Sequence, residues 1–174
     1  MATTYGVHKE VLCVGNEQSL RFAKDVLSEI IELFPSHYIH VGGDECPRDR
    51  WQQCPKCQAL IHNNGWKDTK EHKAEDKLQS YFMTEVERFV NSKGRQIIGW
   101  DEILEGGLAP NATVMSWRGV AGGMNAAKLG NNAIMTPSPY MYVDYYQEDP
   151  ETAPITIGGY VTLKMTYTYN PVED

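Results

Sequence analysis

The sequence has no long apolar run and no cluster of basic residues. No stretch approaches the roughly 18 consecutive apolar residues of a membrane-spanning helix, and the first residues, Met1 to Thr4, do not resemble a signal peptide. Acidic residues outnumber basic ones by 23 to 16, which gives a formal net charge of −7. Because nucleic-acid binding requires a clustered positive surface, we expect neither nucleic acid nor a membrane among the partners.

Cysteine is also scarce, with residues only at Cys13, Cys46, Cys54 and Cys57. That is too few for a disulfide scaffold. The Cys54-Pro-Lys-Cys57 spacing is that of a zinc knuckle, but a structural zinc site needs further ligands, for which Cys46 and His62 are the nearby candidates. A disulfide and free thiols are the alternatives, so neither the state of the cysteines nor the compartment follows from the sequence.

The 174 residues are otherwise of ordinary composition, 41% hydrophobic and 22% charged, which predicts a single domain with its own core. Apolar residues recur at helical spacing and predict helices over 16–34, 74–93 and, more briefly, 119–129. Continuous apolar runs predict strands at 38–42, 96–100, 112–117 and 132–136. This alternation predicts an α/β fold, a parallel sheet with helices on its outside.

Two less regular segments complete the chain. A long polar connection at 46–73, with a short helix near 55–62, follows the first strand, and connections of this length are usually functional. The tail at 147–174 is rich in Pro, Thr and Tyr and is predicted to be irregular, with at most one short helix. We treat residues 1–174 as part of one domain.

The first predicted strand ends on two adjacent carboxylates, Asp44 and Glu45. In a regular strand neighbouring side chains point to opposite faces, so the two could not reach one substrate. Gly42 and Gly43 remove that restriction because glycine tolerates backbone conformations that break the pleat. Paired carboxylates suit general acid and base catalysis. The simpler alternative is that Asp-Glu opens a helix, although Pro47 makes a clean helix start less convincing.

The later strands end on aromatic and acidic side chains, namely Trp100, Asp101, Trp117, Tyr142 and Asp144. Functional groups gather at the carboxyl ends of parallel strands. Because the apolar faces of sugars stack on aromatic walls, this pattern predicts a carbohydrate pocket.

Five further side chains have less certain positions. His40, within the first strand, is predicted to be a hydrogen-bonded histidine beneath the site rather than a proton shuttle, and Glu102 is predicted to cap a helix. Arg118 pairs with a carboxylate at the rim or lies on the surface, and the sequence does not decide between them. Trp51 and Trp66 are expected to pack within the long connection.

The motif His40-x-Gly42-Gly43-Asp44-Glu45 resembles the signature of the family 20 glycoside hydrolases, the β-N-acetylhexosaminidases. The resemblance implies that Glu45 is the general acid and base and that Asp44 orients the 2-acetamido group of the substrate. It also implies a TIM (β/α)8 barrel whose fourth strand ends at this motif.

The resemblance extends over roughly residues 5–170. Gly99-Trp100-Asp101-Glu102 resembles the motif of the fifth strand, and Ser116-Trp117 the end of the sixth, which implies that both Trp side chains line the acetamido pocket. Tyr142-x-Asp144 resembles the seventh-strand pair. In that pair the Tyr hydrogen-bonds the acetamido oxygen and the Asp binds sugar hydroxyls. Asp101 would support these groups.

The chain departs from the family pattern in its extent. A TIM barrel needs eight βα units and about 250 residues, whereas four strands are predicted here. The family's first-strand Arg, third-strand His and late Trp-x-Glu motif have no counterpart. The resemblance therefore implies a partial barrel, approximately strands four to seven, and we expect the isolated chain to be inactive and to self-associate through exposed strand edges.

The implied reaction is exo-acting hydrolysis of terminal β-linked N-acetylhexosamine, GlcNAc or GalNAc, from glycans. This family retains anomeric configuration by substrate assistance, through an oxazolinium intermediate rather than a carboxylate nucleophile. Burial of Glu45 is expected to keep it protonated, and no metal or other cofactor is expected. The resemblance suggests a secreted, periplasmic or lysosomal protein.

Two other classes of function remain open from the residues alone. Asp44, Glu45, Asp101 and Asp144 could serve as oxygen ligands in a metal-dependent α/β-barrel hydrolase or lyase. The chain could also form a non-catalytic carbohydrate-binding module, against which the adjacent Asp44 and Glu45 argue.

Overall fold

A parallel sheet of four strands, in the order β1-β2-β3-β4, forms the centre of the computed structural model, which describes residues 3–172. The strands are β1 Tyr38–His40, β2 Gln96–Trp100, β3 Thr113–Ser116 and β4 Ala133–Met135. Neighbours in the sheet are also consecutive in the chain, and a helical connection joins each pair. The predicted parallel α/β arrangement is therefore confirmed.

The helices surround the sheet and its connections. They are α1 Glu17–Leu33, α2 Asp49–Gln53, α3 Pro55–Asn63, α4 Ala74–Ser92, α5 Ala121–Lys128, α6 Ser138–Met141 and α7 Leu163–Thr168, with a 3₁₀ helix at Asp101–Leu104. The predicted helices correspond to α1, α3, α4 and α5. Two short helices, α2 and α6, were not predicted because one turn shows no periodicity.

The ends of the long helices follow local sequence signals. The Asn16 side chain accepts a hydrogen bond from the Gln18 amide at 3.3 Å, as predicted for the residue that caps α1. This helix ends at Leu33, two residues before Pro35. Gly94 follows α4 with φ +71°, a left-handed conformation that glycine adopts without strain.

The two faces of the sheet have different environments. Ile39, Ile97 and Val114 point to the covered face, where all three are buried against α4 residues such as Val86 and Val90. Alternate strand residues point to the other side. On this open face, in the part of the chain that the structure describes, His40 is exposed and Trp100 half-buried. Burial of apolar surface on the covered face therefore stabilises the sheet from one side.

The tail is anchored to the segment that follows β4. The Val161 amide donates to the Tyr146 carbonyl at 2.8 Å, and Val161 is almost fully buried. The Thr166 hydroxyl donates to the Tyr140 carbonyl at 2.7 Å. The tail therefore packs on the loop beyond the last strand, and it includes α7.

No helix within residues 3–172 combines the length and the apolar character needed to cross a bilayer.

Candidate active site

The backbone after β1 leaves the sheet through two glycines. The Val41 amide donates to the Ile98 carbonyl at 2.9 Å and the Trp100 amide to the Gly42 carbonyl at 3.0 Å, so pairing with β2 continues as far as Gly42. Gly42 and Gly43 then adopt φ values of +73° and +104°. These conformations are accessible to glycine at little cost, and they turn the chain out of the pleat.

Close packing holds the second of these glycines in place. A Cβ added to Gly43 would lie 2.6 Å from Cγ2 of Ile103, so no larger residue fits without displacement. The Gln79 side-chain amide of α4 donates to the Gly43 carbonyl at 2.6 Å, and Gln79 is buried. Gln79 was not predicted to contribute to the site. A glutamine on the covered side of an amphipathic helix is the signal that would have identified it.

The carboxylates that follow are exposed. Glu45 has φ +45°, which is uncommon for a residue with a side chain, and such strain is typical of functional sites. Both Asp44 and Glu45 are exposed in the described chain. The expectation that Glu45 would be buried is wrong, because no described residue covers the open side of this turn.

A second Asp-Glu pair, Asp101 and Glu102, begins the 3₁₀ helix after β2, and both residues are buried. Asp101 Oδ2 accepts from the backbone amides of Trp117 at 3.0 Å and Arg118 at 3.2 Å. Its Oδ1 accepts from Nε of Arg118 at 2.6 Å. Asp101 therefore fixes the backbone that carries Trp117.

The Glu102 side chain fixes the same tryptophan from another direction. Its Oε2 accepts from Nε1 of Trp117 at 2.9 Å, and its Oε1 lies 3.5 Å from the Glu45 amide nitrogen. The prediction that Glu102 caps a helix is wrong. Glu102 lies inside the 3₁₀ helix, and its carboxylate connects the end of β3 to the turn after β1.

Arg118 lies at the rim beside these carboxylates. Its Nη1 donates to Oε1 of Glu105 at 2.9 Å, and Nη2 of Arg48 donates to the other oxygen of Glu105 at 3.2 Å. The sequence left the role of Arg118 undecided, and the structure places it in an ion-pair network. Burial alone would lower the pKa of Arg118. The hydrogen bonds that it donates to Asp101 and Glu105 outweigh this effect and raise the pKa above its usual value.

These groups surround a cavity of about 380 Å³. Its lining includes both acidic and basic side chains together with one indole: Glu45, Cys46, Arg48, Asp76, Glu102, Glu105, Trp117 and Arg118. A polar ligand in this cavity would have both Glu45 and the Trp117 indole within its lining.

The Tyr142 ring stacks on that of Trp117, with ring centroids 6.2 Å apart and planes inclined by 16°. Burial raises the pKa of Tyr142, and the charges of Tyr145, Asp144, Asp44 and Glu102 raise it further. The carboxylates of Asp44, Asp144 and Glu102 therefore lie close enough to act on one phenol, although Asp144 itself is exposed.

His40 and Trp100 form another aromatic pair, with ring centroids 4.8 Å apart. Nδ1 of His40 accepts a hydrogen bond from the Gly42 amide at 3.1 Å, which requires that nitrogen to be unprotonated. Burial lowers the pKa of His40, and the nearby Asp44 charge partly opposes this. His40 therefore supports the Gly42–Gly43 turn from the open face of the sheet.

The acidic residues do not form a metal site within residues 3–172. The single group of three or more His, Cys, Asp or Glu residues at ligand distance there consists of Cys13, Cys54 and Cys57. Both oxygens of Asp101 already accept hydrogen bonds. The four carboxylates considered from the sequence are therefore not arranged as oxygen ligands around one ion.

Comparison with known proteins identifies one family over the whole chain. Residues 1–174 match the family model described as glycosyl hydrolase family 20, catalytic domain. The chain is 50% identical over 169 residues to a β-hexosaminidase of Porphyromonas gingivalis, covering 97% of this chain and 21% of the relative. It is 36% identical over 156 residues to a β-hexosaminidase of Vibrio furnissii, covering 88% of this chain and 24% of that relative.

Solved structures show the same likeness. A Vibrio harveyi GH20 exo-β-N-acetylglucosaminidase in complex with N-acetylglucosamine has a TM-score of 0.75 at 28% identity, covering 93% of this chain and 25% of that one. A β-N-acetylhexosaminidase of Bacteroides fragilis has a TM-score of 0.69 at 26% identity, covering 95% and 33%. The chain therefore spans about a fifth to a third of these proteins, and the predicted fold, part of an α/β barrel, is confirmed.

Proposed function

Because this chain belongs to glycosyl hydrolase family 20, we propose that it carries the acid–base carboxylate and much of the sugar pocket of a β-N-acetylhexosaminidase. The reaction is removal of terminal β-linked GlcNAc or GalNAc from glycans. The observation that carries the proposal is the convergence of three strand ends. Asp44 and Glu45 follow the turn made by two glycines after β1. The Glu102 carboxylate, after β2, contacts the Glu45 amide through one oxygen and the Trp117 indole, after β3, through the other.

The catalytic step that we propose uses the substrate as its own nucleophile. The acetamido oxygen bonds to the anomeric carbon as the glycosidic C–O bond breaks, and Glu45 donates its proton to the leaving oxygen. Water then adds to the anomeric carbon and gives a proton to the Glu45 carboxylate, while the bond between that carbon and the acetamido oxygen breaks and the acetamido group is restored. The product retains the anomeric configuration.

Asp44 acts on the acetamido group. Its carboxylate accepts a hydrogen bond from the acetamido N–H. It also stabilises the positive charge that develops on the oxazolinium ring formed in the first step. The Asp44 charge contributes to raising the pKa of the Tyr142 phenol, which supports this role because both groups must contact the acetamido group of a single sugar. Asp101 and Glu102 are held by Arg118 and Trp117, which leaves neither free as a nucleophile.

The aromatic side chains bind the sugar. Trp100 and Trp117 form walls of the acetamido pocket, and the Tyr142 hydroxyl donates to the acetamido oxygen. Asp144, exposed beside Tyr142, binds sugar hydroxyls. His40 and Asp101 act indirectly, through the glycine turn and the Trp117 backbone respectively.

Hydrolysis requires more than these 174 residues. Asp44, Glu45 and His40 are exposed and the inner side of the sheet is open, so the sugar would be held from one side only. Without further strands, substrate is not restrained in a reactive geometry. We therefore propose that the isolated chain is inactive and that the outer edges of β1 and β4 promote self-association.

A chimera tests this function directly. The chain would replace the matching 169 residues of the Porphyromonas gingivalis relative, and both the chimera and the isolated chain would be assayed with a fluorogenic GlcNAc substrate. Light scattering on the isolated chain would measure its oligomeric state. We expect turnover by the chimera, none by the chain, and larger-than-monomer particles for the chain.

Three outcomes would contradict parts of this proposal. Turnover by the monomeric chain at the rate of the chimera would show that the 174 residues are sufficient for catalysis. Sugar binding by a folded chimera without turnover would favour a binding module. Activity that disappears on exhaustive chelation, while circular dichroism shows that the chimera remains folded, would favour metal-dependent chemistry.

A further inference from the structure

Three cysteines meet where the loop before α1 contacts the start of α3. Sγ of Cys13 lies 3.3 Å from Sγ of Cys54 and 3.7 Å from Sγ of Cys57. All three sulfurs lie within 4.8 Å of one another. Cys13 comes from the loop before α1, whereas Cys54 and Cys57 come from the start of α3, so the cluster joins two segments about 40 residues apart in sequence.

The backbone around the cluster is closely fitted. Cys54 is the residue before α3, Pro55 occupies its first turn, and Cys57 follows within that turn. On the other segment, a Cβ added to Gly15 would lie 2.2 Å from the Lys56 carbonyl oxygen. Only glycine allows this approach of the two backbones, and the approach brings Cys13 to the other two sulfurs.

The sulfur separations distinguish a metal site from a disulfide. In a tetrahedral zinc site with Zn–S distances of about 2.3 Å, the sulfurs are roughly 3.8 Å apart, close to the observed 3.3 and 3.7 Å. A disulfide requires about 2.05 Å and uses only two sulfurs. It would leave unexplained why a third cysteine is built into the same cluster.

We propose that Cys13, Cys54 and Cys57 bind one zinc ion through three thiolates. Cys13 and Cys54 are only half-buried, so a water molecule would have access to complete the tetrahedron. The sequence pointed to Cys46 and His62 as partners of the Cys54–Cys57 pair. In the described residues neither belongs to the cluster, and Cys13 takes their place.

The role of this site is structural. The Trp51 indole donates to the Leu12 carbonyl at 2.9 Å, next to Cys13, and Trp51 and Cys57 belong to the same buried cluster with Leu78 of α4. Zinc would attach the segment before α1 to the long connection that follows Glu45. The proposal is independent of the glycosidase function and has a separate readout.

Metal content of the purified chain tests the proposal. The chain and four variants, Cys13→Ser, Cys54→Ser, Cys57→Ser and Cys46→Ser, would be produced with added zinc and purified under reducing conditions without chelator. The number of zinc ions per chain would be measured by inductively coupled plasma mass spectrometry. Affinity would be measured by competition with a chromogenic chelator, and folding by circular dichroism.

We expect one zinc per chain in the wild type and in Cys46→Ser, and affinity weakened by about 100-fold or more in each of the other three variants. Cobalt in place of zinc should give the thiolate-to-cobalt charge-transfer band. If the buried Cys57→Ser variant does not fold, the half-buried Cys54→Ser and the cobalt spectrum of the wild type decide the question.

Other results would overturn the proposal. A chain purified in parallel without reductant that is lighter by two hydrogens and holds no zinc would show a disulfide instead. Reduced protein that binds neither zinc nor cobalt would show three plain thiols. Equal loss of zinc in Cys46→Ser and Cys54→Ser would show that the ligands are wrongly assigned.

Discussion

Two Asp-Glu pairs follow consecutive strands of the same sheet, and their environments are opposite. Asp44 and Glu45, after β1, are exposed, whereas Asp101 and Glu102, after β2, are buried and hydrogen-bonded to the segment after β3. The difference lies in the backbone. Gly42 and Gly43, both with positive φ, turn the chain away from the sheet before Asp44 and Glu45. Asp101 and Glu102 instead begin a 3₁₀ helix in which both side chains are buried.

This contrast shows how one dipeptide performs two tasks. The exposed pair remains available to a substrate, while the buried pair uses its oxygens to position Trp117 and Arg118. A carboxylate whose oxygens already accept several hydrogen bonds is a poor acid or base for a bound ligand. The chemistry should therefore be sensitive to changes in the first pair, and stability to changes in the second.

The largest effect is expected for Glu45→Gln in the chimera with the Porphyromonas gingivalis relative. Loss of the acid should lower kcat by about 10²–10⁴-fold for substrates with poor leaving groups, which need protonation. An aryl glycoside with an acidic phenol should lose much less. Steady-state kinetics on both substrates measure this, and an equal loss on both would contradict the role of Glu45.

The next effect is expected for Asp44→Asn in the same chimera. Removing the charge that faces the acetamido group should lower kcat by about 10²–10³-fold. A thiazoline mimic of the oxazolinium should lose affinity in parallel, as measured by inhibition constants. Unchanged binding of this inhibitor would show that Asp44 does not contact the acetamido group.

Gly43→Ala tests whether the glycine turn creates the difference between the pairs. A side chain at φ +104° would be strained and would clash with Ile103, which we expect to cost roughly 2–4 kcal/mol in the free energy of unfolding. The matched control is Gly94→Ala, at φ +71° with no atom within 4 Å of the added Cβ. Denaturant unfolding of the chain should show the smaller loss for Gly94→Ala.

Asp101→Asn tests the second pair. It removes the charge facing Arg118 and replaces one acceptor oxygen with a donor, which we expect to cost about 1–3 kcal/mol of stability. In the chimera, kcat should fall far less than in Asp44→Asn. A larger loss of kcat than in Asp44→Asn, with stability unchanged, would mean that the two pairs have exchanged roles.

The smallest effect concerns the ionisation of His40, which nuclear magnetic resonance can follow in the chain. Its pKa should lie below the usual histidine value because burial beside Trp100 disfavours the imidazolium. Asp44→Asn should lower it further, because the Asp44 charge raises it, whereas Asp101→Asn should leave it unchanged. For this group the folded state favours the neutral ring, so its contribution to stability is present above the unfolded pKa and is lost as the pH falls.

Features that depend on neighbouring residues could be predicted from the sequence alone. Apolar periodicity located α1, α4 and the four strands, and the glycines before Asp44 indicated a turn that frees two carboxylates. Such signals are local, since a helix face or a strand end is specified within about ten residues. The family motifs are short segments of the same kind.

Contacts between side chains that are distant in sequence became evident from the folded chain and not from any local pattern. Glu102 was assigned to a helix cap because the sequence cannot show that Trp117, 15 residues away, brings its indole to that carboxylate. Gln79 and Cys13 were missed for the same reason, since their partners lie 36 and 41 residues away. Exposure of Glu45 likewise depends on what packs across the open face of the sheet. Contacts of this range are set by how helices and strands pack, a property of the whole chain that no local pattern encodes.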